Sequence, residues 1–280
     1  MPKKRFVIIG ASNERFGDFV FNHWSKSLID HIDNNKVDIV ILDYGLSSNQ
    51  RKKLVGKGIR VVKCKKDGHI VNLRYRDILN FLIKNKYDQV LACDAGDIIF
   101  QKDIMSVFNS HPNQFRGVIE NLQPPTLEYS LVQATFSQED KDKILRLLKG
   151  KKMVNGGFVI APRNKFITLC TLMLKMIKRM DSFGPDQIIL NYVLYREGFF
   201  NLDVNFNYIP VTAKDKFKIK EGVFYNGKGE VINVIHNAGN KDFFRVIDNF
   251  GYGKGYNKFK FFPYIILKIF YKIVSFYRGY

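Results

Sequence analysis

Tyr87-Asp-Gln-Val-Leu-Ala-Cys-Asp94-Ala-Gly-Asp97-Ile-Ile-Phe-Gln-Lys-Asp103-Ile104 opens with a short apolar run, Gln89 to Cys93, that passes directly into a turn bearing two carboxylates three residues apart. A short apolar run bounded by turn residues reads as a buried strand. Hard oxygen ligands on a turn suit Mg²⁺ or Mn²⁺, ions that in turn bind phosphate oxygens. An isolated Asp pair can equally satisfy the amides of its own turn, so the surrounding sequence has to decide.

On the N-terminal side, β-branched runs alternate with helical patterns. Strands are expected at Arg5 to Ile9, Val37 to Leu42, Ile59 to Lys63 and Gly117 to Glu120, and helices at Phe16 to Ile32, Asn49 to Val55 and Val71 to Lys84. This succession predicts an α/β fold, Rossmann-like, with a mainly parallel sheet between helices. Ligands of such sheets sit at the carboxyl edge, where Asp94 and Asp97 would lie. Beyond a Pro124-Pro125 loop, a Ser137-x-x-Asp140 signal opens a helix over Gln138 to Leu148. A glycine-bearing strand follows at Val154 to Ile160, then helices at Asn164 to Met180 and Asp186 to Tyr195, and an apolar run at Val231 to Ile235.

The 280 residues carry 45 Lys and Arg against 26 Asp and Glu, a formal charge of +19, with 46% hydrophobic residues. A disordered chain is excluded by this apolar content. Cys64, Cys93 and Cys170 are too scattered for a disulfide framework or a metal clip. Net positive charge favours polyanions: nucleic acid, anionic lipid or phosphate-bearing substrates. Phe6 to Ile9 is too short for the core of a secretory signal, so the body is expected in the cytoplasm.

Three further blocks follow the Asp94 turn: Val154-Asn155-Gly156-Gly157-Phe158, Gly184-Pro185-Asp186-Gln187, and Ile235-His236-Asn237-Ala238-Gly239-Asn240-Lys241. In this order and spacing the four blocks, over residues 5 to 241, resemble glycosyltransferases of the GT-A fold. The likeness is to the family-8-like group that includes glycogenin and bacterial lipooligosaccharide galactosyltransferases, and to related enzymes whose metal turn reads Asp-x-x-Asp-x-x-Phe-Gln, as Asp94 to Gln101 does. It implies a nucleotide-sugar donor, UDP-linked first, a glycan or glycolipid acceptor, and Mn²⁺ or Mg²⁺ held by Asp94, Asp97 and His236. The usual Asp-x-Asp would need an acid where Gly96 stands, so Asp97 takes the second place. Gly239 keeps the family's spacing after the histidine, whereas Lys241, the diphosphate contact, comes one residue early.

By the same resemblance Asn155 and Gly156 lie beneath the donor sugar, Asp186 hydrogen-bonds it, and Gln187 sits near the anomeric carbon. Arg76 reaches the donor from the helix before the metal strand, with Arg74 as a competitor on another helical face. Ala11 and Ser12 occupy the loop that contacts the nucleobase and ribose. The family relation implies retention of anomeric configuration; were Asp186 instead to reach the acceptor hydroxyl, it could serve as base and the reaction would invert. Each position has a plainer reading: a helix cap for Asp186, a bulge for the glycines, a backbone-bonded histidine for His236.

Residues 254–280 carry six basic residues and no acid among ten Tyr or Phe from Tyr256 onward. With Pro263 as its first helical position, this segment is expected either to lie in the headgroup region of an anionic membrane or to dock on the body. The expected organisation is a catalytic domain over 1–253 and a tail over 254–280, peripheral on the cytoplasmic membrane face. Gly10 to Gly17 lacks both the G-x-G-x-x-G of a dehydrogenase and the Arg-containing signature of a sugar-nucleotide pyrophosphorylase. A haloacid-type phosphatase would place its Asp pair after the first strand. The basic strip between Tyr44 and Lys66 could follow a phosphate backbone, but nucleic acid is not expected as the partner.

Overall fold

A computed structural model describes residues 5–132, 136–239 and 242–279. Its strands are β1 (Phe6–Ser12), β2 (Val37–Asp43), β3 (Arg60–Lys63), β4 (Gln89–Cys93), β5 (Ile98–Phe100), β6 (Phe115–Gly117), β7 (Phe158–Pro162), β8 (Phe199–Asn201), β9 (Lys218–Lys220), β10 (Val223–Tyr225), β11 (Val234–His236), β12 (Ile247–Asp248) and β13 (Lys258–Phe259). Seven of them form one sheet in the order β3-β2-β1-β4-β7-β6-β8. β3, β2, β1 and β4 are parallel; β7 runs antiparallel to both its neighbours, and β6 and β8 are parallel to each other.

Both faces of this sheet are covered, which is why its strands are almost continuously apolar. In β1, Val7 and Ile9 belong to the core under the helices Ile70–Lys84, Arg163–Met176 and Pro185–Glu197, whereas Phe6 and Ile8 pack on the opposite face with Trp24, Leu28 and Leu54. Helix starts follow local chemistry. Ser47 and Gln50 form a reciprocal capping box, and Ser137 accepts from the amide of Asp140 as its spacing predicts.

Several boundaries shift: β1 runs on to Ser12, the helix expected at 16–32 is broken by a π-helical turn at Val20–Trp24 and ends at Ile29, and the helix expected to reach Met180 ends at Met176. The stretches expected to be strands at 117–120 and 154–160 pair only through an isolated Ile119–Val154 bridge, while the regular strands are Phe115–Gly117 and Phe158–Pro162. The cause is local: Asn155 Oδ1 accepts from the amide of Gly157 at 2.8 Å, an Asx-type turn that bends the chain before β7 begins. The C-terminal helix, Phe261–Tyr277, starts two residues before Pro263, still within the first turn, where a missing amide hydrogen costs nothing.

A third core joins that C-terminal helix to the body, because Leu267 and Tyr271 pack with Tyr208, Val211, Phe224 and Val246. Lys268 Nζ donates to the carbonyl of Ala213, and Ser275 Oγ accepts from the amide of Gln123 at 2.9 Å. The opposite face leaves Phe262, Ile266, Ile269, Phe270 and Ile273 exposed, spaced as one helical stripe. No helix among the described residues is long and apolar enough to cross a membrane.

Candidate active site

Three strand pairings assemble the site. β4 ends at Cys93, so Asp94 leaves the sheet at its carboxyl edge, and its amide donates to the carbonyl of Gly157 at 2.9 Å. Off the sheet, β5 pairs antiparallel with β11 so that His236 lies opposite Ile98, and the amide of Asn237 donates to the carbonyl of Asp97 at 2.9 Å. Residues about 140 apart are thereby fixed side by side. His236 Nε2 stands 3.6 Å from Asp94 Oδ2 and 3.5 Å from Asp97 Oδ1. Among the described residues these three form the one cluster of three or more metal-ligating side chains, with donor atoms all within 4.8 Å of one another.

Its chemistry fits a divalent cation. Asn207 Oδ1 lies 3.0 Å from His236 Nδ1 and can only accept, so Nδ1 carries a proton and Nε2 is the nitrogen turned to the carboxylates, which favour a proton on it until a cation takes its place; outer partners orient metal-binding histidines in this way. Asn207 Nδ2 donates in turn to Asn155 Oδ1 at 3.1 Å, and Asn155 Nδ2 to Glu120 Oε1 at 3.3 Å. Room is kept by Gly157, where a Cβ would stand 2.3 Å from His236 Cε1 and 2.9 Å from Asp94 Oδ2. Two carboxylates with one imidazole suit Mn²⁺ better than an all-oxygen Mg²⁺ site.

Arg74 links this cluster to the helix Pro185–Glu197. Its guanidinium donates to Asp94 Oδ1 and, at 3.1 Å, to Asp186 Oδ2. Asp186 turns Oδ2 to Arg74 while its carboxylate also meets the backbone of Gln187; the helix itself starts from Gly184 at φ 101° followed by Pro185. Gln187 Oε1 lies 3.5 Å from the amide of Gly156, and Asn191 bonds both backbone groups of Val154. Asn155, Gly156, Asp186 and Gln187 thus converge beside the metal cluster. Ala11 and Ser12 lie close by, though as the last residues of β1, paired with Leu42 and Asp43 of β2, rather than in a loop; β1 and β4 pair as far as Ile9 and Ala92, so Ala11 stands level with Asp94. A Cβ on Gly10 would come within 2.8 Å of that of Ala95.

Arg76 is not brought to the cluster. It binds Asp67, Asp77 and the carbonyl of Lys65, because two positions along a helix turn a side chain by about 200°. Arg74 was the legible choice, since it shares the apolar stripe of Leu73, Ile78, Phe81 and Leu82, and a charge on a buried stripe must meet a countercharge. Gly239 offers its carbonyl to Arg245 Nε at 2.9 Å, and Arg245 Nη2 reaches Asp97 Oδ2 at 3.1 Å. Lys241 lies outside the described residues. Arg245, Asn207 and Glu120 escaped sequence reading; only Glu120, an acid at the end of an apolar run, left a signal.

Withdrawal from water alone would raise the Asp94 carboxyl, but Arg74, with His236 and Arg245 behind it, outweighs this and holds it below the ordinary range. Asp186 goes the other way: burial raises it, Arg74 offsets only part, and Asp94 adds repulsion. One guanidinium shared by two carboxylates keeps the metal-side one ionised. Glu120, buried and with Oε2 lacking any hydrogen-bond partner, is pushed by desolvation up to about 7. Its folded pKa is raised, so its stabilising contribution is complete below the unfolded value near 4.5 and is lost as pH rises through about 7. Glu120→Gln should match wild type at about pH 4.5 and exceed it by about 3 kcal/mol at about pH 8 in urea unfolding. An equal difference at both pH values would contradict the assignment.

No protein-family profile matches the chain, and no curated protein is detectably similar in sequence. Solved structures are similar in fold. The galactosyltransferase LgtC in complex with donor and acceptor sugar analogs superposes with a TM-score of 0.56 at 16% identity, covering 94% of this chain and 95% of that one. An active-site mutant of LgtC gives 0.55 at 16% identity over 83% of this chain and 87% of that one. The bifunctional glycosyltransferase WbbM gives 0.57 at 18% identity over 86% of this chain and 47% of its own, so the chain spans about half of WbbM. The fold is that of the GT-A glycosyltransferases.

Proposed function

We propose that the protein is a metal-dependent glycosyltransferase that moves a sugar from a nucleoside-diphosphate donor, UDP-linked first, to a glycan or glycolipid acceptor in surface-polysaccharide or glycoconjugate synthesis. The observation that carries this reading is the convergence of Asp94, Asp97 and His236 with Asp186 and Gln187 at one edge of a GT-A sheet. LgtC and WbbM, which share the fold, are sugar transferases. Mn²⁺ or Mg²⁺ held by those three side chains would stabilise charge on the departing diphosphate. Asn155 and Gly156 offer an amide and an open backbone to sugar hydroxyls. Lys241 remains the expected diphosphate contact, and Ala11 and Ser12 the nucleoside contacts.

Retention is the stereochemistry this site favours. A base taking the acceptor's proton must reach the open face, and Asp186 is 5% exposed and held by Arg74. Gln187 carries an amide, a poor nucleophile for a covalent route. The outward stripe of the C-terminal helix, flanked by Lys258, Lys260 and Lys272, is proposed to rest on an anionic membrane at its cytoplasmic face, since large exposed apolar patches mark interaction surfaces. Incubation with a panel of UDP-sugars, Mn²⁺ and lipid-linked glycans should release UDP from one donor in an acceptor-dependent way. Release from none, or release unchanged by EDTA, would contradict the assignment.

A further inference from the structure

Each metal-side carboxylate divides its two oxygens. Asp94 gives Oδ1 to Arg74 and turns Oδ2 toward His236 Nε2; Asp97 gives Oδ2 to Arg245 and turns Oδ1 toward the same nitrogen. Granting that the cluster takes a divalent cation and a nucleoside diphosphate, we infer that Arg245 makes metal binding depend on the donor. It neutralises Asp97 while the site holds no diphosphate and turns its guanidinium onto the diphosphate when one arrives.

The charges require such a device. With His236 neutral, as an imidazole must be to ligate a metal, three carboxylates (Asp94, Asp97 and Asp186) face two guanidinia (Arg74 and Arg245), which leaves the cluster one negative charge to set against the two positive charges of a divalent ion. A metal entering alone would leave a poorly solvated site net positive. The donor's diphosphate reverses that sign, so metal and donor favour each other's binding.

The two arginines are not equivalent. Arg74 is clamped between two carboxylates with its side chain 10% exposed, and it cannot leave without stranding both. Arg245 is held by one carboxylate and one carbonyl, its side chain is 25% exposed, and its guanidinium lies 5.6 Å over the Phe16 ring. It also walls a cavity of about 320 Å³ that opens beside Gly96 and is shared with Asn237, Asp242 and the ion pair of Lys260 with Asp248. That opening gives the guanidinium somewhere to turn, and Phe16 and the Gly239 carbonyl keep it near the metal turn as it does so. An arginine suits the task because its planar fork matches carboxylate and phosphate oxygens alike.

Titration of the full-length protein with Mn²⁺, followed by loss of the free-ion EPR signal, tests the inference alongside calorimetric binding of UDP and of uridine. Arg245→Gln should bind Mn²⁺ alone about tenfold more tightly and UDP, with Mn²⁺ saturating, about tenfold more weakly, leaving uridine unaffected. Arg245→Lys, which keeps the charge, should stay near wild type for Mn²⁺ alone. Unchanged or weaker Mn²⁺ binding by Arg245→Gln would overturn the inference, leaving Arg245 as no more than a support for Asp97. Wild-type protein that binds neither Mn²⁺ nor UDP would instead overturn the metal-and-nucleotide reading, and Arg245's role with it.

Discussion

Gly157→Ala is expected to abolish divalent-metal binding in a protein that still folds. Position 157 sits at the point where the turn before β7 passes under the metal cluster. Its carbonyl accepts from Asp94 and its amide donates to Asn155 Oδ1. A methyl group there would stand 2.3 Å from His236 Cε1 and 2.9 Å from both Asp94 Oδ2 and Asn155 Oδ1. The backbone cannot retreat without breaking the Asp94 hydrogen bond, so the imidazole must move. Overpacking of this kind costs about 1–3 kcal/mol of stability, while loss of one metal ligand costs at least the roughly 10–100-fold affinity attributed to outer partners. Gly156→Ala is the control: its nearest neighbours would be at 3.5 and 3.8 Å, ordinary contact. Equal Mn²⁺ binding by both variants would mean that His236 is not a ligand.

Deleting residues 257–280 should cripple the fold rather than merely release it from a membrane. Leu267 and Tyr271 lie in the same core as Tyr208 and Phe224, and Ser275 receives the amide of Gln123, whose side chain bonds Met153 and Glu120. The helix therefore props the loop that leads to Asn155. Each buried side chain is worth about 1.5–3 kcal/mol, and the uncovered core adds to the loss, so the total approaches the 5–15 kcal/mol of a whole domain, roughly. The truncated protein should aggregate or melt about 10 °C lower or more; a truncated form melting with wild type would contradict the packing. Membrane binding is separable from this. Phe262→Glu with Ile266→Glu touches only the exposed stripe and should keep the melting temperature while lowering co-sedimentation with anionic vesicles. Undiminished sedimentation would remove the membrane reading.

How much of this was legible depended on whether the signal was local. Asp94 and Asp97 stand out because a strand and its turn are contiguous. His236 and Asp186 were found through block order, which survives when the loops between blocks drift. The family resemblance points to Arg76, whereas helical periodicity places Arg74 on the buried stripe. Strand boundaries near 117–120 and 154–160 were missed because one side-chain bond, Asn155 to the Gly157 amide, overrides a β-branched run. Asn207 and Arg245 carry no local pattern at all. Their roles arise from the Tyr208–Ile235 bridge, which sets Asn207 beside His236 29 positions away, and from a loop closing over Asp97, which brings in Arg245 from 148 positions away.

The central claim is that Asp94, Asp97 and His236 form one site for a divalent metal and a nucleoside diphosphate. Thermal melting with Mn²⁺, with UDP and with both together tests it most directly. The two ligands together should raise the melting temperature by more than the sum of their separate effects, since whatever binds only the folded state stabilises it. Asp94→Ala should remove the joint effect while remaining folded. No joint shift in wild type, or a full joint shift in Asp94→Ala, would contradict the account.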